Sequence, residues 1–84
     1  MRIRFTRGAR EHRIGKAHAW YVIGTAIPEI AYGDGNEGGD AIRWVGLDDR
    51  GVELEIIGIV LPEEYLVIHV MPTGLRAKGR GGHG

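Results

Sequence analysis

The chain has 84 residues, no cysteine, and eleven basic against eleven acidic side chains, for a formal net charge of zero. That size fits one small domain with little room for a deep internal cofactor pocket, and without thiols neither a disulfide framework nor a zinc–thiolate centre is available. No apolar run approaches the roughly 20 residues of a membrane span, and the N-terminal MRIRFTRGAR lacks the apolar region of a signal peptide, so a cytoplasmic protein without membrane contact is expected.

The charges are segregated. Residues 1–16 hold Arg2, Arg4, Arg7, Arg10, Arg13 and Lys16 against the single acid Glu11, and residues 73–84 add Arg76, Lys78 and Arg80 with no acid. The middle, 17–72, carries ten acids and only Arg43 and Arg50. If the two ends meet, they form a positive patch suited to phosphate; as ordinary solvated charges they bind nothing in particular.

In chain order, IRF reads as a first strand at 2–5, and Thr6 caps a short helix over 7–12. Ile14 and Gly15 interrupt it, and a second helix runs from 16 to 26, stopped by Pro28. Ala17, Tyr21 and Gly24, flanked by Trp20, Ile23 and Ile27, form a wide apolar face that predicts a helix lying on a sheet. His12 and His18 are six residues apart, too far around a helix for joint metal binding. GDGNEGGD (33–40) is a flexible loop without the calcium-loop pattern, and no metal site is expected.

AIRWVGLD (41–48), VELEIIGIVL (52–61) and YLVIHVMP (65–72) read as three antiparallel strands. DDRG (48–51) predicts a type I turn with a glycine bulge that sets Asp48 opposite Val52. A one-residue slip would turn every side chain over. On this register the even positions form the core and the odd positions a second, mixed face. Arg43, Glu55 and His69 are neighbours on that mixed face, with Ile57, Ile59, Tyr65, Val67 and Met71 as exposed apolar surface for a partner. Residues 1–76 form one domain in this reading, and AKGRGGHG (77–84) is a disordered basic tail.

The order strand, helix, helix, three strands carries short motifs: AREHRIGKAHA (9–19) before an alanine-bearing helix, RWVGLDDRGVELEI (43–56) as an arginine strand and glycine hairpin, and VIHVMP (67–72) as an apolar strand. This resembles the BrnT-like toxins of the RelE/ParE-like superfamily in type II toxin–antitoxin systems, over most of residues 3–76. Two features depart from that family's pattern. EHRIG replaces its K-H-G-V element, so the lysine there is lost, and LRAKGRGGHG is too glycine-rich for its basic C-terminal helix. The resemblance implies an α+β fold of β-α-α-β-β-β order, two N-terminal helices on a mainly antiparallel four-stranded sheet. It further implies a cofactor-free ribonuclease neutralised by a cognate antitoxin, with RNA, free or on the ribosome, as substrate. A gyrase-directed toxin is the other activity that fold hosts.

In such chemistry a base takes the ribose 2′-OH proton, cations stabilise the pentavalent phosphorus, and an acid protonates the leaving oxygen. Arg43, Glu55 and His69 supply one group of each kind, and Arg76 a second cation; Arg10, Arg13, Lys16, Lys78 and Arg80 edge the RNA. The plainer alternatives are a half-buried structural histidine, a Glu55 that is merely solvated or paired with Arg43, and surface arginines. At the level of the whole chain they are a non-catalytic protein- or nucleic-acid-binding module, or a self-associating structural domain.

Overall fold

The computed structural model describes residues 2–10, 14–31 and 40–74. Five strands, one α-helix and one 3₁₀ turn follow in the order β1 (Arg2–Phe5), the turn (Gly8–Arg10), α1 (Lys16–Thr25), β2 (Glu29–Ala31), β3 (Ala41–Leu47), β4 (Glu53–Val60) and β5 (Glu64–Pro72). The strands form one mixed sheet in the order β1-β5-β4-β3-β2, with β1 parallel to β5 and the other pairs antiparallel.

This corrects the expected fold class of two helices on a four-stranded, mainly antiparallel sheet. Of the expected first helix, the described residues 7–10 hold a 3₁₀ turn: the Thr6 hydroxyl accepts the Ala9 N–H, but the Thr6 N–H itself is drawn to the Val67 carbonyl at 3.0 Å, which holds this segment against β5. The fifth strand, β2, follows Pro28 and pairs Glu29 with Arg43 and Ile30 with Ile42. The expected basic tail, 77–84, lies outside the described residues, as does the glycine–acid loop apart from Asp40.

Helix α1 starts without a side-chain cap; the Gly15 carbonyl accepts the N–H groups of His18 and Ala19. It ends where Ala26 turns extended, two residues before a proline that cannot continue a helix. The sequence places Tyr21 and Trp20 toward the sheet, yet both are about half exposed, and Ala19 and Val22 are buried instead, flanked by Ile23 and Ala26. Gly46 explains the rotation: a Cβ there would lie 3.1 Å from the Ala26 Cβ. The helix therefore approaches β3 closely with small or branched side chains, leaving no room for an indole or phenol between.

The core fills the space between α1 and the sheet. Trp44, Leu54, Ile56, Val67 and Val70 are buried, and the Tyr65 ring meets Trp44 edge-on at 5.4 Å, a favoured aromatic geometry. The β3–β4 hairpin has the expected register: the Asp48 backbone N–H donates to the Val52 carbonyl at 2.8 Å, and Gly51 takes φ +81°, a conformation a Cβ disfavours.

The β4–β5 hairpin departs from expectation. Val60 pairs with Tyr65, while Ile57 pairs with His69, so an irregularity between Ile57 and Gly58 leaves Ile68 as an extra residue. Gly58 permits it, because a Cβ there would lie 3.2 Å from the Trp44 ring and 3.5 Å from the Leu66 carbonyl. Beyond this bulge the side-chain alternation of β5 reverses. Tyr65 and Val67 therefore join the core rather than the opposite face, which corrects their placement on an exposed partner surface.

Candidate functional site

The face of the sheet turned away from α1 carries a cluster of ionisable side chains. Arg43 on β3, Ile57 on β4 and His69 on β5 are in register across three adjacent strands, and Glu55 sits two residues along β4 from Ile57, diagonal to both charged neighbours. Glu55 joins them. Its Oε1 lies 3.3 Å from His69 Nε2, and its Oε2 accepts from Arg43 Nη1 at 3.5 Å. Glu55 is only 5% exposed although it lies on the face without a helix; His69 and Arg43 keep about a third of their side-chain surface open, at 32% and 38%. A buried carboxylate requires such partners, since its desolvation is otherwise uncompensated.

Arg43 has a second acid. Glu29, directly opposite on edge strand β2, accepts from Nη2 at 2.8 Å. The hydrogen bond that the guanidinium donates to Glu29, then the Glu29 charge, holds Arg43 above its ordinary range, with a smaller contribution from Glu55. Sequence reasoning missed Glu29. Its signal was a Pro-Glu-Ile-Ala run with β alternation, too short to stand out as a strand.

The other candidates are dispersed. Lys16 opens α1, and its ammonium lies 5.8 Å from the centre of the Phe5 ring. Arg10 ends the 3₁₀ turn that packs on β5. Both belong to the helical elements rather than to the strands that carry Arg43 and His69. Arg13, Arg76, Lys78 and Arg80 lie outside the described residues. At the other sheet edge Arg4 is spent on Glu64, 2.6 Å away, and that hydrogen bond lowers the Glu64 carboxyl below its usual range. Of the apolar surface residues named from sequence, Ile57, Ile59 and Met71 are only half-buried. Among the described residues the large exposed apolar side chains are instead Trp20, Tyr21, Ile27, Ile30, Val45, Leu47 and Val52.

A second polar cluster ties α1 to the β3–β4 turn. His18 Nδ1 lies 2.5 Å from Asp49 Oδ1, and the ligating atoms of His18, Asp48 and Asp49 fall within 4.8 Å of one another. The Asp48 carboxylate is already saturated: Oδ1 accepts the N–H groups of Arg50 and Val52, and Oδ2 the Arg50 fork at 2.6 and 3.0 Å. Burial pushes this carboxyl up, but the Arg50 side chain and then the two backbone N–H groups outweigh it and lower the pKa to about 2. A cation would have to displace Arg50, so the cluster is a structural latch.

Among the described residues no helix is long and apolar enough to cross a membrane. No family model, curated protein or solved structure matches the chain.

Proposed function

We propose that the open sheet face is a metal-independent ribonuclease site of the toxin type, and that a cognate antitoxin restrains it. The observation that carries this reading is Glu55 holding a histidine and an arginine side by side on an open surface. Arg43 offers a planar fork for a phosphodiester. His69 serves as the base through the ring nitrogen on the far side from Glu55, Nδ1, while Glu55 orients the ring and stabilises the imidazolium that forms. The 2′-oxygen bonds to phosphorus as its proton passes to His69, the P–O5′ bond breaks, and the 5′-oxygen takes a proton from solvent. The products are a 2′,3′-cyclic phosphate and a 5′-hydroxyl, and the imidazolium then returns its proton to solvent. An open sheet face suits single-stranded RNA, whose backbone lies along a surface.

The test is product analysis. The purified chain, incubated with single-stranded RNA in excess chelator, is expected to leave 2′,3′-cyclic phosphate ends and to spare the same sequence as DNA. Products ending in a 3′-hydroxyl and 5′-phosphate, or equal cleavage of DNA, contradict the mechanism.

A second reading, a protein-binding module, is favoured by one observation. Val45 and Leu47, which are 39% and 58% exposed, lie two residues apart on β3 and so share the sheet face that carries Arg43. Patches of this kind mark interaction surfaces. Sedimentation over a concentration series tests whether the partner is a second copy: a mass that doubles supports self-association, and a constant monomer mass rejects it.

A further inference from the structure

We infer that Glu29 is an affinity-setting residue, a displaceable carboxylate that occupies the phosphate-binding edge of Arg43 and must leave before an anionic substrate binds. This rests on the reading that Arg43 receives a phosphodiester. The two acids on Arg43 differ in every respect that governs displacement. Glu55 is 5% exposed, sits on a central strand, and also holds His69. Withdrawing it would strand a buried charge and free the imidazole. Glu29 has 61% of its side chain exposed and stands on an edge strand of three residues, directly after Pro28, which has no N–H to donate. Its contact is nevertheless the shorter one, 2.8 Å to Nη2 against 3.5 Å from Glu55 to Nη1.

A phosphate that bonds Arg43 through paired N–H groups must use Nη2, the nitrogen to which the Glu29 carboxylate is bound. Both are anions, so the two cannot share it without strong repulsion. An exposed carboxylate that leaves is rehydrated at little cost, because exposed ion pairs are weak. Binding at this face is therefore an exchange of Glu29 for phosphate, with Glu55 fixed, and the exchange sets the substrate affinity without entering the bond-breaking step.

The experiment uses the full chain, the Glu29→Gln variant, Arg43→Ala, and the double variant. Inorganic phosphate is titrated and followed by the arginine side-chain N–H resonances, and RNA cleavage is measured in parallel. Glu29→Gln is expected to tighten phosphate binding about two- to fivefold and to lower KM by a similar factor with kcat unchanged. In the Arg43→Ala background the same substitution is expected to change nothing, a coupling that mere loss of a surface charge does not produce. Unchanged or weaker phosphate binding in Glu29→Gln, or equal tightening without Arg43, overturns the inference. If Glu29→Gln tightens phosphate but no form cleaves RNA, the ribonuclease reading fails and the exchange stands; cleavage with an unchanged KM has the opposite meaning.

Discussion

The two faces of the sheet bury side chains by different means. Under α1 and the 3₁₀ turn, Trp44, Leu54, Ile56, Val67 and Val70 are buried among apolar neighbours, and Gly46, lacking a side chain, lets the helix come close. On the opposite face the buried acid Glu55 is held by Arg43 and His69. The first arrangement serves stability. The second keeps ionisable groups next to one another on a surface that a ligand can reach, at a cost in desolvation that a purely structural face need not carry.

The contrast makes graded predictions. Trp44→Ala removes the indole on which Tyr65 and Gly58 close, and is expected to lower the unfolding free energy by about 3–5 kcal/mol in urea titrations; a loss below about 1 kcal/mol breaks the view that this face carries the stability. The bulge in β5 sharpens the comparison. Val67→Asn, on the core side, is expected to cost about 1–3 kcal/mol more than Leu66→Asn, because an amide buried without partners keeps its desolvation penalty. The reverse order would restore the unbulged register. Gly51→Ala, at φ +81° in the β3–β4 turn, is expected to cost about 1–2 kcal/mol while leaving the fold intact by backbone NMR.

The last prediction concerns acid. Asp48 is lowered to about 2 in the folded protein, against about 3.9 for a free aspartate, so its contribution is complete above about pH 4 and is lost as pH falls through about 2. Asp48→Asn is expected to flatten the decline of the urea midpoint across that window. An unchanged slope means that Arg50 and the turn N–H groups do not hold the carboxylate as described.

Much of the site was legible in the sequence, for a local reason. DDRG dictates a bulged turn, and that turn alone brings Arg43 and Glu55 to one face. His69 joins them because β5 keeps the expected pairing from Ile57 onward toward Pro72. The rest depends on distant contacts. The parity change at Ile68 arises where Gly58 meets the Trp44 ring and where the Val67 carbonyl takes Thr6 from the other end of the chain. The face of α1 depends on Gly46, and β2 is a three-residue strand that pairing with β3 creates. None of these is encoded in its own segment, and together they account for the errors over Tyr65, Val67, Trp20 and Tyr21, and for the missed Glu29.

The most direct test of the account compares RNA cleavage by the unaltered chain with that by His69→Ala and Arg43→Ala, each checked by thermal melting. The account predicts that both substitutions cut the rate at least about 100-fold while the melting profile stays cooperative. Intact RNA after incubation with the unaltered protein, or cleavage that survives both substitutions, would contradict it.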